Sequence, residues 1–121
     1  MRYMFLIYSQ ETTESLTPEE TASVYSGHAA VLDDAARKGI LLGAERLRPT
    51  ASATTVRVDG GKALITDGPF AETKEQFGGY YILECADLDE AMEWAKRIPT
   101  ACRGRGGCIE IRPIDDLPKR A

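Results

Sequence analysis

A chain of 121 residues makes one domain, long enough to bury a core and too short for two. Apolar residues make up 43% and charged residues 28%, the balance of a soluble globular chain rather than a disordered one. The net charge of −4, with both signs interspersed, argues against nucleic acid as a partner, because phosphate binding needs a concentrated basic surface.

No apolar run approaches the roughly 20 residues of a membrane span. The opening Met1-Arg2-Tyr3-Met4-Phe5-Leu6-Ile7-Tyr8 is too brief for a signal segment and has no small-residue cleavage site, so a cytoplasmic location is expected. Arg2 to Tyr8 is instead β-rich with little polar alternation, which predicts a central strand buried on both faces. Thr17-Pro18-Glu19-Glu20 then combines three helix-start signals. Thr17 can cap, Pro18 suits the first helical position, and Glu20 can close a capping box. Val24, Val31, Leu32 and Ala35 recur at helical spacing until Gly39 ends the pattern. Ile40 to Ala44 predicts a short strand. Thr54-Thr55-Val56-Arg57-Val58 and Ala63-Leu64-Ile65-Thr66 flank Asp59-Gly60-Gly61, a hairpin signal.

Gly78 to Cys85 predicts another strand, rich in tyrosine and aliphatic residues. Asp87-Leu88-Asp89-Glu90 opens a second helix with a capping box, and its buried stripe is expected at Leu88, Ala91, Met92, Ala95 and Ile98, with Pro99 ending it. Arg103 to Gly107 forms a flexible connection to a last strand, Cys108 to Arg112. The domain is expected over 1–113, with a loose polar tail over 114–121. The order is β-α-β, hairpin, β-α-β. It predicts an α+β fold, a split βαβ arrangement with an extra β-hairpin and two helices on one face of an antiparallel sheet. The other face needs a cover, and a second copy of the sheet is an economical one, so a homodimer is expected.

Chemistry concentrates between Asp67 and Tyr81. Asp67-Gly68-Pro69-Phe70 is a turn that cannot continue a ladder, since proline has no N–H and glycine tolerates positive φ. Charges held in a loop by rigid strands are a common way to build a site. Asp67 can orient an imidazole or act as a base, or it can do no more than form an Asx-turn. His28, the single histidine, lies on the apolar stripe of the first helix. It is either a hydrogen-bonded core side chain or an acid–base group facing a cavity beside the loop. In the second case Asp67 is its expected partner and should raise its pKa. Lys74 can hold an anionic ligand, and Phe70, Phe77, Tyr80 and Tyr81 supply either pocket wall or packing. Glu72 and Glu75 read as solvated loop charges. Gly78-Gly79 is not a phosphate loop, because it precedes a strand and lacks Gly-x-x-x-x-Gly-Lys-Ser/Thr. Cys85, Cys102 and Cys108 are odd in number with no Cys-x-x-Cys pair, and one histidine cannot build a multi-histidine metal site. No metal and no cofactor are expected. Neither Gly-x-Ser-x-Gly nor His-Glu-x-x-His occurs.

The Tyr3–Tyr8 run, Thr54 to Val58, Asp67 to Tyr81, Asp87 to Pro99 and Glu110-Ile111-Arg112-Pro113 together resemble the DGPF branch of the YCII-related proteins, over nearly the whole chain. The resemblance implies a ferredoxin-like fold assembled as a dimeric α/β barrel. Relatives within that fold include cofactor-independent enzymes acting on small aromatic or quinone-like compounds, and others that only bind ligands. The wider family has been proposed to use a histidine on its first helix together with an aspartate, a role that His28 fits by element. Members of the branch are often encoded beside alternative sigma factors. Two functions follow. One is a cofactor-independent acid–base enzyme with His28 and Asp67 at work and Phe70, Lys74 and Tyr81 around the ligand. The alternative is a non-catalytic ligand-sensing or regulatory protein associated with sigma-factor-controlled transcription.

Overall fold

The computed structural model describes residues 1–11, 16–100 and 106–118. Cys102, the Arg103–Arg105 connection and the last three tail residues lie outside them. The described chain runs β1 (Arg2–Ser9), α1 (Pro18–Arg37), β2 (Leu41–Arg46), β3 (Thr54–Asp59), β4 (Lys62–Asp67), β5 (Gln76–Glu84), α2 (Leu88–Ala95) and β6 (Cys108–Pro113). Four of the strands form an antiparallel sheet in the order β2-β5-β1-β6. With two helices, this is an α+β arrangement of ferredoxin-like topology.

Local chemistry accounts for the element ends. The Thr17 hydroxyl accepts from the Glu20 N–H at 3.1 Å, and the Glu20 carboxylate accepts from the Thr17 N–H at 3.2 Å, a complete capping box. At α2, Asp87 accepts from the Glu90 N–H at 2.9 Å, but the Glu90 carboxylate reaches the Ala86 N–H instead, one residue before the cap. Gly60 and Gly61 sit at φ 57° and 81°, the left-handed pair that a two-residue hairpin turn requires.

The core joins Tyr3, Phe5 and Ile7 of β1 and Tyr81 and Leu83 of β5 to Val31 and Ala35 of α1 and to Ala91, Trp94 and Ile98 at α2. Both helices thus pack on one face of the sheet. β1 is central, but it fully buries only alternate residues, not both faces as its composition suggested. The reason is that, among the described residues, no second layer closes over Met4, Leu6 and Tyr8, which stay half-buried beside Tyr80 and Ile82.

The stripe of α2 also differs from expectation. Leu88 and Met92 are 49% and 40% exposed, while Trp94 is buried. The 3.6-residue period lets Ala91, Trp94, Ala95 and Ile98 share one face, and the indole has the most apolar area to hide. Cations flank the ring, with the Arg97 guanidinium 4.7 Å and the Lys38 ammonium 5.2 Å from its centroid. Asp34 holds both cations, at 2.7 Å to Arg97 and 3.3 Å to Lys38. These contacts keep the Asp34 carboxyl below its ordinary pKa, the Arg97 hydrogen bond foremost.

β3 and β4 pair from Thr54–Asp67 to Asp59–Lys62 and form a two-stranded sheet of their own. The hairpin projects, leaving Val56, Val58 and Ile65 at 59%, 73% and 67% exposure. The start of the tail, expected to be loose, is tied to β1. The Ile114 N–H donates to the Arg2 carbonyl at 2.9 Å, and Arg2 pairs with Asp116 at 3.0 Å. Among the described residues, no helix is long and apolar enough to cross a membrane.

Candidate functional site

A cavity of about 230 Å³ opens between α1 and the β2–β5–β1 side of the sheet. Its inner surface comes from Ile7 and Ser9 of β1 and from Gly79 and Tyr81 of β5, all of them buried. Helix α1 contributes Val24, Tyr25, His28 and Leu32, one face of the helix at i, i+1, i+4 and i+8. β2 contributes Ala44 and Arg46, which lie opposite Tyr81 and Gly79 in the ladder and so share their face. Arg46 and Tyr25 are exposed and mark the mouth. A Cβ at Gly79 would stand 2.7 Å from the Glu45 carbonyl oxygen. Glycine there lets β2 approach and keeps the cavity floor open. Gly78-Gly79 therefore has a use that its motif context did not reveal.

Within this cavity the His28 Nδ1 hydrogen-bonds the Tyr81 hydroxyl, and the two rings meet edge-to-face at 5.8 Å and 78°. Core packing fixes Tyr81, so the hydrogen bond orients the imidazole and helps set which ring nitrogen carries the proton. At the mouth, the Arg46 guanidinium donates to the Tyr25 hydroxyl at 2.6 Å and lies 5.5 Å from the Tyr25 ring centroid.

The His28 pKa falls below its ordinary 6.5, first because burial penalises the imidazolium and then because the Arg46 charge repels it. This reverses the rise expected from an Asp67 partner, since the charged neighbour is a cation. The sign of the pH effect follows. Below pH 6.5 the unfolded chain takes up a proton at His28 that the folded chain resists. Stability is then lost as pH falls through 6.5 toward the lower folded pKa. His28→Gln is expected to flatten that part of a urea-midpoint profile, and an unchanged slope would count against the lowered pKa.

The loop stands elsewhere. Asp67 is the last residue of β4, pairs with Thr54 in the ladder, is exposed, and is not among the residues lining the cavity. The turn after it is closed without the Asp67 carboxylate, with the Gly68 N–H donating to the Ala53 carbonyl at 2.7 Å and the Thr55 hydroxyl to the Gly68 carbonyl at 2.8 Å. No Asx-turn bond from the Asp67 carboxylate is among the hydrogen bonds of the described residues. Phe70 is 75% exposed and Lys74 is exposed, and neither lines the cavity. His28 and Tyr81 are thus brought together, while Asp67, Phe70 and Lys74 are not brought to them within the chain.

Glu75 is half-buried rather than solvated and accepts from the Cys108 thiol at 3.6 Å. Burial, then the Glu75 charge, pushes that thiol's pKa up, and burial does the same at Cys85. Neither is an activated nucleophile. Sequence reasoning missed Arg46, because the expected second strand stopped at Ala44. Extending the strand by two residues would have put Arg46 on the face of Ala44.

The topology places the chain among the ferredoxin-like α+β proteins. The YCII-related domain matches residues 1–118, and the chain belongs to that family. It is similar to the uncharacterized protein R00369 of Rhizobium meliloti (strain 1021), 39% identical over 115 residues that span 94% of this chain and 92% of the relative.

Proposed function

We propose that the protein binds a small aromatic or quinone-like molecule in the α1–β2–β5 cavity and that His28 moves a proton on it without a cofactor. The observation that carries this reading is the single histidine, set on the cavity wall and oriented by Tyr81, where burial and the Arg46 charge lower its pKa. A neutral imidazole is ready to accept a proton near neutral pH, and positioned acid–base groups contribute about 10²–10⁴-fold to a rate. The apolar surroundings of Val24, Leu32 and Ala44 suit a ring and exclude water.

The test is a thermal-shift screen of small ring compounds, followed by proton–deuterium exchange of each binder in heavy water. Exchange that the protein accelerates and His28→Gln abolishes, with binding retained, supports the enzyme. Binding without exchange favours the ligand-sensing alternative. Asp67→Ala belongs in the same series. As an exposed side chain off the cavity, it should change stability by no more than about 0.5 kcal/mol. A loss of ligand response in that variant would show that the loop reaches a cavity on a second copy.

The same proposal includes a homodimer built on the sheet face opposite the helices. The half-buried Met4, Leu6, Tyr80 and Ile82 on that face support it. So do the exposed apolar residues Val56, Val58 and Ile65 of the hairpin, which a second copy would cover.

A further inference from the structure

We infer that the cavity's ligand is a small ring monocarboxylate, its carboxylate held at the mouth by Arg46 and its ring lying inward toward His28. This deepens the proposed small-molecule reading and rests on it. Among the described residues that line the cavity, Arg46 is the only lysine or arginine, and no described carboxylate forms an ion pair with it. The neighbouring Glu45 also borders the cavity, but it pairs with Tyr80 in the ladder, and strand alternation turns its side chain to the other face. Arg46 is pre-positioned, because the Tyr25 hydroxyl takes one of its five N–H donors and the Tyr25 ring lies beside the guanidinium. The remaining fork suits a planar, bidentate acceptor.

The walls narrow the class. Ile7, Val24, Leu32 and Ala44 offer apolar contact beyond the charged mouth, which asks for a molecule with one anionic end and a hydrocarbon body. A cavity of about 230 Å³ is small beside the usual 300–1,000 Å³ of ligand pockets, so the body is about one ring. A phosphate ester would require more donors than one guanidinium, and Gly78-Gly79 lies within β5, not at a helix N-terminus that could supply them. The Arg46 charge that disfavours imidazolium is neutralised once a carboxylate sits on it. Ligand binding and the protonation of His28 are thereby linked.

The experiment titrates the 121-residue chain with benzoate and with its neutral analogue benzyl alcohol, following the His28 ring resonances by NMR, for the native chain and for Arg46→Met. Benzoate should bind about tenfold or more tighter than the alcohol, as a charge-assisted bidentate contact predicts. Arg46→Met should remove that advantage, so that acid and alcohol bind with similar affinity. Arg46 is exposed, so the variant should fold, and the alcohol serves as its internal control. Equal binding of acid and alcohol, or an acid preference that survives Arg46→Met, overturns the carboxylate assignment while leaving the cavity a ligand site. Failure of both compounds to move the His28 resonances overturns the cavity reading itself.

Discussion

Leu6→Glu is expected to turn the proposed dimer into a monomer. Leu6 lies on the central strand, opposite Tyr80 on one side and Glu110 on the other, on the face that the helices leave uncovered. Two sheets packed face to face stand about 10 Å apart with side chains interdigitated, so a carboxylate at this position would be buried in each copy and would meet Glu110 as a like charge. An unpaired buried charge costs several kcal/mol, and each ~1.4 kcal/mol is tenfold in dissociation constant. Dimer affinity should therefore fall by at least about a hundredfold. Light scattering at micromolar concentration reads the outcome. A native chain that is already a monomer, or a variant with unchanged mass, removes this face as the interface.

The neighbouring residue gives the contrasting result. Phe5→Ala is expected to destabilise folding by about 3–5 kcal/mol, because the Phe5 ring is fully buried between the sheet and both helices and its removal leaves a cavity. Against a typical domain stability of about 5–15 kcal/mol, the variant should lose a large share of its urea midpoint. A loss below about 1 kcal/mol would mean that the core around Phe5 collapses to fill the space. Adjacent positions on one strand thus separate folding from association, since period-2 alternation sends Phe5 and Leu6 to opposite faces.

What could be read beforehand divides by range along the chain. The start of α1 was legible because Thr17, Pro18 and Glu20 act on one another within a single turn, and the box they form is present. The hairpin was legible because Asp59-Gly60-Gly61 supplies the left-handed backbone its turn needs. Order and fold class followed from these local signals. The site did not, because its members come from β1, α1, β2 and β5 and meet only after the sheet forms. His28 was visible through its helical phase. Arg46 and Tyr25 had no local signature, and the conspicuous charges of the Asp67–Lys74 loop drew attention to residues that do not line the cavity. The direction of the His28 pKa was hidden for the same reason, since it follows first from burial in the assembled cavity and then from a cation 18 residues away in sequence. The burial of Trp94 shows a different failure: several registers of a short amphipathic helix fit the pattern, and the position of the largest ring decides among them.

Trp94 is also the chain's single tryptophan, packed between the helices and the sheet and absent from the cavity's lining. Its emission reports whether α2 is seated and is silent about what fills the cavity. Tyr25 and Tyr81 lie at the cavity, where a bound ring alters their near-ultraviolet absorption. The molecule thus carries two independent optical channels, one for unfolding and one for occupancy, and a single unlabelled sample can be followed in both at once.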